Sequence, residues 1–405
     1  MTDVVIVGGG IAGGALATAL ARDGLGVTVL EATEEYEDRV RGESMMPWGV
    51  AEARELGIEQ AMLDAGAHVA STWVPYADGF PPDEAVVAAI PVGSMIPDIP
   101  GSLNLRHPEA CALLIGLTAD AGATVVRGVR DVEVTLGASP SVRYTRGDET
   151  VEMSCRLVVG ADGRASVVRR ALGITLEKQD VTHHIAGLLV DDLVDVPDDH
   201  DFLAAGRDYF EVGFHQGNGR ARIYLVVGNS MRRRFAGHDG TQSFLDSCAV
   251  TCVPFGDALA AGTPAGPCAT YPATDTWCAR PFGAGAVLIG DAAGYNNPVI
   301  GQGLSIAMRD VRTVRDVLRS GEWSDFSDYA MERLERMRRV RLAADVVGAA
   351  FAEDADNRPA RHAAFFELQA SDERLTSILM GNFAGSEIFP AEIYDDEVLQ
   401  LVRAG

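Results

Sequence analysis

The first 31 residues alternate between short apolar runs and a glycine-rich turn. Residues 3–7 have the pattern of a short buried strand, and residues 15–22 have the small-residue pattern of a helix. Residues 8–14, which lie between them, are mostly glycine, and a second apolar run at 27–30 ends on Glu31. A strand, a glycine turn, a helix and a second strand within about 30 residues predict a βαβ unit.

Further along the chain the apolar pattern changes twice. Two more apolar runs, 157–159 and 287–289, are each followed by a glycine-containing turn. The segment 181–230 is strand-like, whereas the chain after Asp325 has a helical pattern. Residues 73–100 are rich in Pro, Val and Gly, which favours strands and turns. The pattern as a whole predicts an α/β fold with a strand-rich insertion and a helical C-terminal region.

A hairpin is predicted inside the strand-like segment. Residues 209–215 and 222–227 flank Gln216-Gly217-Asn218-Gly219, and an Asn-Gly pair between two apolar runs is typical of a tight hairpin turn.

Charge and composition exclude several classes of function. The chain carries 34 Lys+Arg against 58 Asp+Glu, a formal net charge of −24, and such a surface repels phosphate backbones and anionic lipids. No apolar run is long enough to cross a bilayer, and no basic leader precedes the first apolar run. We expect a cytoplasmic protein without a nucleic-acid or membrane partner.

Two other features of the composition have plain interpretations. The six cysteines form no C-x-x-C pair, which favours buried reduced thiols and no metal site. The arginines between 333 and 341 lie among acids, so we interpret them as a solvated or salt-bridged helix face.

The glycine turn has the spacing of a dinucleotide-binding motif. Gly8 is placed to make the tight turn, Gly10 to let a pyrophosphate approach the backbone, and Gly13 to let the helix pack on the strand. Glu31 follows the second strand, where a carboxylate binds ribose hydroxyls. A carboxylate at that position favours FAD or NAD over a phosphorylated ribose.

Two later motifs follow the other buried runs. Asp162 and Gly163 come after the third strand, and Gly290 and Asp291 come after the fourth. Taken alone, each motif indicates only a strand, a sharp turn and a helix. On that interpretation Asp162 caps a helix and Asp291 braces a turn.

Taken together and in this order, the three motifs resemble the class A flavoprotein monooxygenases of the p-hydroxybenzoate hydroxylase type. The motifs span residues 4 to 310. The resemblance implies a Rossmann-like FAD-binding domain of the GR2 type, an inserted strand-rich substrate domain and C-terminal helices. The implied boundaries are 1–72, 101–180 and 276–324 for the FAD-binding domain, 73–100 and 181–275 for the substrate-binding sheet domain, and 325–405 for the C-terminal helices.

The resemblance also implies roles for individual residues. The pyrophosphate and adenosine ribose of FAD, the ribityl chain and the flavin ring edge would be bound by Gly8, Gly10, Ala12, Gly13, Glu31, Arg41, Arg106, Asp162, Gly163, Gly290, Asp291, Gly301, Gln302, Gly303 and Leu304. Pro298 would lie beside the flavin and shape the oxygen pocket. For Arg41 and Arg106 the alternative is a surface ion pair.

The reaction implied by the resemblance is a hydroxylation. NADH or NADPH would reduce FAD, O2 would form a flavin C4a-hydroperoxide, and one oxygen would pass to an aromatic or polyketide-like small molecule of secondary metabolism. The partners implied are the substrate and O2, with a homodimer or a separate flavin reductase left open. Candidates for the substrate pocket are Tyr209, His215, Arg222, Tyr224, Tyr295 and Asn296, each of which is otherwise an ordinary sheet or loop residue.

Departures from the family pattern leave other flavoenzymes open. Gly294 stands where the family usually has His, and Gly42-Glu43-Ser44 is also seen in flavin halogenases and in geranylgeranyl-reductase-like proteins. The halogenase W-x-W-x-I-P signature is missing. The alternatives are a two-component oxygenase with a separate reductase, a reductase of C=C bonds, and a flavin-binding sensor or scaffold without turnover.

Overall fold

A computed structural model describes residues 2–207 and 209–405. Its strands, in chain order, are β1 Val4–Val7, β2 Val27–Glu31, β3 Ser44–Met45, β4 His68–Ala70, β5 Trp73–Ala77, β6 Ser102–Asn104, β7 Thr124–Arg127, β8 Arg130–Thr135, β9 Ser141–Arg146, β10 Glu149–Ser154, β11 Leu157–Gly160, β12 Glu177–Lys178, β13 His183–Asp191, β14 Asp201–Ala205, β15 Phe210–Gly217, β16 Arg220–Gly228, β17 Thr263–Pro264, β18 Ala269–Ala273, β19 Thr276–Trp277, β20 Phe282–Gly283 and β21 Ala286–Leu288.

The α-helices are named in the same way. They are α1 Ile11–Arg22, α2 Pro47–Glu55, α3 Glu59–Asp64, α4 Pro82–Val87, α5 His107–Asp120, α6 Val167–Ala171, α7 Gly240–Ser247, α8 Gly256–Ala260, α9 Gly303–Arg319, α10 Ser327–Phe351, α11 Arg358–Ser371, α12 Glu373–Ala384 and α13 Asp396–Ala404. The mixture of helices and sheets confirms the predicted α/β fold.

The first sheet brings the three glycine motifs together. Its strand order is β20-β21-β11-β1-β2-β7, and all neighbours are parallel except the edge strand β20. Strands β1, β2, β11 and β21 are buried along their whole length, as continuous apolar runs covered on both faces require. Because parallel strands end at one edge of a sheet, the turns after β1, β11 and β21 lie side by side.

The second sheet has one face toward a cavity and one toward a separate core. Its main strand order is β17-β13-β16-β15-β14-β5, and β18 also pairs with β13. The predicted hairpin joins β15 to β16. Its turn residues Asn218 and Gly219 have φ of 56° and 69°, the left-handed conformation that such a turn needs. Segment 73–100 joins this sheet through β5 but also contains α4, so the expectation of strands and turns alone was wrong.

The C-terminal region is helical, as its pattern predicts. Helix α10 contacts α9, α11, α12 and α13, and its buried side chains form one core with the cavity face of the second sheet. None of the described helices is both long and apolar enough to cross a bilayer. Among the described residues all six cysteines are free thiols, and no cluster of His, Cys, Asp and Glu side chains suits a metal ion.

Candidate functional site

One large cavity runs from the carboxyl edge of the first sheet to the second sheet. Its volume is about 1160 Å³, above the roughly 300–1,000 Å³ of ordinary small-molecule sites. All three glycine motifs contribute to its wall, through Gly10, Ile11, Ala12, Ala161, Gly163, Arg164, Gly290, Asp291, Gly301, Gln302, Gly303 and Leu304. We call this part of the wall the nucleotide half.

The three motif glycines have the surroundings that a dinucleotide site demands. Gly8 has a φ of +102°, and a Cβ there would lie 2.4 Å from the Ala161 carbonyl oxygen. A Cβ at Gly13 would lie 1.9 Å from the Gly8 carbonyl oxygen, so the helix packs closely on the turn. A Cβ at Gly10 would meet nothing within 4 Å. The second glycine therefore faces open space where a pyrophosphate fits.

Two helices begin at this wall without side-chain caps. Helix α1 follows Gly10 and helix α9 follows Gln302. In neither helix does a cap side chain accept a hydrogen bond from the backbone N–H groups of the first turn, and neither first turn contains an acid. Their first N–H groups stay available for an anion. The side chain of Gln302 is already used, because it accepts from Trp48 Nε1 at 2.8 Å and donates to the Ile300 carbonyl.

Glu31 lies at the end of β2 but does not line the cavity. Its Oε2 accepts from the Gly9 N–H at 2.6 Å and its Oε1 from the Thr33 N–H at 2.7 Å. These bonds tie the carboxylate to the glycine turn. Its role toward ribose stays a prediction.

The aspartates of the two later motifs differ in their contacts. Asp162 Oδ2 accepts from the Val167 N–H at 2.6 Å, so it caps α6, and its Oδ1 is buried without a partner among the described residues. Asp291 lines the cavity and accepts from Arg164 Nε at 3.2 Å. The Arg164 guanidinium also lies 4.2 Å from the ring centre of Tyr295. The helix-cap alternative therefore describes Asp162, whereas Asp291 faces the cavity.

The two predicted arginines have different positions. Arg41 is exposed and lines the cavity together with Arg39. Arg106 pairs with Glu109 at 2.8 Å and does not line the cavity, and its Nε is buried without a partner among the described residues. Its role toward FAD stays a prediction. His107 lies on the cavity wall, where burial and then the charge of Arg41 lower its pKa to about 4.

A buried ionic brace holds the Gly290-Asp291 turn from behind, and the sequence interpretation missed it. Asp310 Oδ2 accepts from the Gly290 N–H at 2.9 Å and from Arg333 Nε at 3.0 Å. Arg333 also donates to the carbonyls of Ala293 at 3.0 Å and Gly294 at 2.7 Å. Arg336 donates to Asp310 Oδ1 at 2.8 Å.

This brace decides between the two alternatives for part of the C-terminal arginine run. Arg333 and Arg336 are paired with Asp310 and are 2% and 4% exposed, so they are salt-bridged but buried, and they do not form a solvated face. Burial alone would raise the pKa of Asp310, but the two guanidiniums outweigh burial and lower it. Arg338 fits the original interpretation, because it pairs with Glu335 at the surface.

The rest of the cavity wall is apolar and largely aromatic. We call this part the substrate half; it is built by residues 73–90, the second sheet and the C-terminal helices. Its apolar side chains include Trp73, Ile185, Leu203, Phe210, Val212, Phe214, Val347, Phe351, Phe365, Phe366, Leu379, Met380 and Phe383. Among the described residues of these segments that line the cavity, Glu84 alone carries a charge, and it is exposed.

Three of the six substrate candidates line the cavity and three do not. Tyr224, Tyr295 and Asn296 lie on its wall, and the Tyr224 hydroxyl donates to the Arg41 carbonyl at 2.7 Å. The predicted flavin neighbour Pro298 also lines it.

The other three substrate candidates are corrected by their surroundings. Strand side chains alternate, so Phe214 faces the cavity while His215, the next residue, faces the opposite core beside Phe202. Arg222 is fully buried and forms ion pairs with Asp38 at 2.6 Å and Glu43 at 2.9 Å. Tyr209 packs on the opposite core, under Arg234.

Comparison with known proteins agrees with this site. Residues 1–340 match the family model described as "FAD binding domain". The chain belongs to this family. That assignment confirms the predicted FAD cofactor and agrees with the resemblance to the p-hydroxybenzoate hydroxylase type.

The individual proteins that resemble this chain have low sequence identity to it. Squalene monooxygenase SE1 of Panax ginseng is 27% identical over 329 residues, covering 78% of this chain and 58% of that protein. The chain therefore spans less than two thirds of that relative's length. Two solved structures share the fold. The flavin-dependent halogenase CmlS is 17% identical with a TM-score of 0.74, and the match covers 100% of this chain and 76% of CmlS. p-Nitrophenol 4-monooxygenase PnpA of Pseudomonas putida DLL-E4 is 17% identical with a TM-score of 0.75, and the match covers 95% of this chain and 98% of PnpA.

Two features of the structure fit a bound FAD. Gly10 leaves room for a pyrophosphate, and the N–H groups at the start of α1 and α9 are available for anionic parts of a cofactor. The aromatic side chains of the substrate half escaped sequence analysis, because they come from segments as far apart as β5 and α12 and no local motif marks them.

Proposed function

We propose that the protein is an FAD-dependent monooxygenase that adds one oxygen atom to an uncharged aromatic or polyketide-like small molecule. In the overall reaction NAD(P)H, a proton, O2 and the substrate give NAD(P)+, water and the oxygenated product. One oxygen atom of O2 enters the product and the other leaves as water, with NAD(P)H as the two-electron donor.

The observation that carries this proposal is the continuity of the two halves of the cavity. The nucleotide half contains backbone N–H groups, Arg164 and Asp291, whereas the substrate half is apolar. Arg39 and Arg41 line the cavity outside both halves. Pro298 and Gly301 lie on the same wall as Phe214 and Phe383. A flavin bound at the glycine motifs would thus have its ring at the entrance of an apolar chamber.

Electrostatics restrict the substrate to uncharged molecules. Placing a carboxylate or phosphate in the substrate half would bury a charge without a partner, at a cost of several kcal/mol. Aromatic rings such as those of Trp73, Phe214 and Phe383 instead favour flat or branched apolar groups. The name of the ginseng relative, a squalene monooxygenase, also points to an apolar substrate.

The chain's own residues have positioning roles in this reaction. Bound FAD supplies the redox chemistry and the activation of O2. The N–H groups at the start of α9 would stabilise negative charge on a bound flavin. The apolar wall would exclude water and hold the substrate in the chamber.

Stopped-flow absorbance of the holoprotein tests the proposal. The protein is mixed anaerobically with NADH or NADPH, with and without 2-naphthol as a neutral probe, and then with O2. We expect flavin bleaching that the neutral ligand accelerates, followed by reoxidation with oxygenated product. If no pyridine nucleotide bleaches the flavin, yet dithionite-reduced protein oxygenates the probe, a separate reductase replaces NAD(P)H as direct donor. Reoxidation without any oxygenated product for a panel of neutral ligands would contradict the proposal.

A further inference from the structure

A buried histidine lies directly behind the flavin end of the cavity. His183, the first residue of β13, is 2% exposed, and its Nε2 lies 3.1 Å from Asn297 Nδ2 and 3.3 Å from Asn297 Oδ1. Its Nδ1 lies 2.9 Å from Thr182 Oγ1. Gly348 of α10 permits this position, because a Cβ there would lie 3.0 Å from His183 Cε1. The imidazole is therefore enclosed between a strand, a helix and the loop that carries Pro298.

The hydrogen bonds of Asn297 favour one tautomer of the ring. Asn297 Oδ1 accepts from the Val299 N–H at 3.2 Å and caps the short 3-10 turn Pro298–Ile300. The carboxamide nitrogen is the nearer of the two Asn297 side-chain atoms to His183 Nε2, and an NH2 group can only donate, so it favours an accepting Nε2. A ring that accepts at Nε2 and is neutral carries its proton at Nδ1, where Thr182 Oγ1 is the acceptor.

The surroundings keep the ring neutral. Burial lowers the pKa of His183 to about 4, with the bond to Asn297 and the charge of Glu353 acting in the opposite direction and His184 acting with burial. Asp275, a fully buried carboxyl group whose pKa burial raises to about 7, lies on the other side of Asn297, near its backbone N–H. A protonated Nε2 would instead place a second donor against the Asn297 NH2 group, 3.1 Å away.

We propose that His183 is a positioning residue: as a neutral acceptor it orients Asn297, and Asn297 holds the turn Pro298–Ile300 against the flavin end of the cavity. Its effect on catalysis rests on the proposed function, whereas its effect on the turn does not. The functional consequence is control over how closely the wall contacts the flavin. A loosened turn would admit water. The reduced flavin would then reduce O2 to hydrogen peroxide without oxygenating the substrate.

The first test is NMR of the holoprotein labelled at histidine Cε1, titrated from pH 8 to pH 5. The His183 signal is assigned by its loss in His183→Gln. We expect His183 to stay neutral over this range in the wild type. In Asn297→Asp the carboxylate accepts from both the Val299 N–H and a protonated Nε2, so the pKa of His183 rises by more than two units. A wild-type His183 that titrates near its ordinary 6.5, or an unchanged pKa in Asn297→Asp, would overturn the proposal.

The second test compares three single variants in the visible flavin spectrum and in peroxide formed per NAD(P)H oxidised. His183→Phe keeps the ring but removes the acceptor, so we expect a shifted flavin band and several-fold more peroxide. His183→Gln places an oxygen near the position of Nε2 and should restore both. His184→Phe is the matched control on the opposite face of β13 and should change neither. Equal spectra and equal peroxide for all three variants would overturn the proposal.

The two tests separate this proposal from the proposed function. The NMR titration and the flavin spectrum need bound FAD but no turnover, so they remain valid if the chain oxygenates nothing. If His183→Phe fails to fold, Asn297→Asp still decides whether Asn297 and His183 are coupled as described.

Discussion

At the residue scale, the glycines of the first turn differ in how much space surrounds them, and this difference predicts different effects of substitution. Gly13 has the Gly8 carbonyl oxygen 1.9 Å from where its Cβ would be, whereas Gly10 has nothing within 4 Å. We expect Gly10→Ala to fold with an unchanged free energy of unfolding as apoprotein and to lose about tenfold or more in FAD affinity, about 1.4 kcal/mol.

Gly13→Ala is the matched comparison for that variant. It should lose about 1–3 kcal/mol of stability by overpacking, before any cofactor is added. Urea unfolding of the apoproteins and FAD titration by flavin fluorescence give the two quantities. A Gly10→Ala variant that binds FAD as the wild type does would place the pyrophosphate elsewhere.

His215 provides a second prediction at this scale. Burial lowers its pKa to about 4, so the folded state favours the neutral ring. The stability linked to this ring is fully present above pH 6.5 and is lost as the pH falls toward 4, by about 3 kcal/mol in total. In His215→Phe we expect the free energy of unfolding, measured in urea, to fall less steeply between pH 6.5 and pH 4, because one fewer proton is taken up on unfolding.

The same variant tests whether His215 contacts substrate. Because His215 faces the core opposite the cavity, His215→Phe should leave the affinity of the holoprotein for 2-naphthol unchanged. A loss of affinity of tenfold or more without a change in stability would return His215 to the substrate pocket.

Sequence reasoning worked at residues whose chemistry is local. The spacing of Gly8, Gly10 and Gly13 is enough to assign each a geometric role, because turn, approach and packing are decided within one βαβ unit. It did not decide between the two faces of β15, where one residue separates Phe214 from His215. An alternating strand that is buried on both faces carries no polarity signal to show which face borders the cavity.

At the scale of elements, the brace of Asp310, Arg333 and Arg336 joins α9 and α10 to the turn after β21. Residues more than 20 positions apart meet here, and each guanidinium is fully enclosed. A run of arginines among acids looks the same in sequence whether it is solvated or buried. The partner, a single aspartate on α9, is identified only by the packing of the two helices.

Replacing Asp310 by Asn gives the prediction at this scale. It leaves two buried guanidiniums without their carboxylate, so we expect a loss of about 3–5 kcal/mol in the free energy of unfolding and weaker FAD binding. Since the pKa of Asp310 is lowered in the folded protein, the stabilisation is present above its ordinary pKa and is lost as the pH falls below it.

Glu335→Gln is the control for Asp310→Asn. It removes a half-exposed carboxylate from the same helix α10 and should cost about 0–1 kcal/mol. Chemical denaturation at pH 7.5 and FAD titration measure both variants. Similar losses in unfolding free energy and FAD affinity for the two variants would show that the buried brace stabilises the protein no more than a surface ion pair does.

For the whole molecule, the charge distribution separates the two halves of the cavity. The chain carries a net charge of −24, yet Arg39, Arg41 and Arg164 line the cavity outside the substrate half. The α/β fold class and the glycine turns could be predicted from the sequence, because buried strand runs and glycine turns follow local rules. The chamber itself could not be predicted, since its wall is assembled from β5, the second sheet and three C-terminal helices.

The apolar wall predicts discrimination by charge. At pH 7.5 the holoprotein should bind 2-naphthol at least tenfold more tightly than 6-hydroxy-2-naphthoate, because the carboxylate finds no cation in the substrate half. Perturbation of the flavin absorbance measures both affinities. Glu84→Gln removes the one acid among the described residues of the substrate half and should preserve the preference. A preference that is lost in this variant would be due to Glu84 and not to the apolar wall.

The most direct test of the central claim is turnover of the holoprotein under 18O2 with NAD(P)H and the neutral ligands that bind. Mass spectrometry of the product follows the oxygen atom, and consumption of O2 and NAD(P)H is measured in parallel. The account predicts one 18O atom in the product, with one O2 consumed per product formed. A reduced product without 18O, formed equally well under nitrogen, would contradict it and indicate a reductase of C=C bonds.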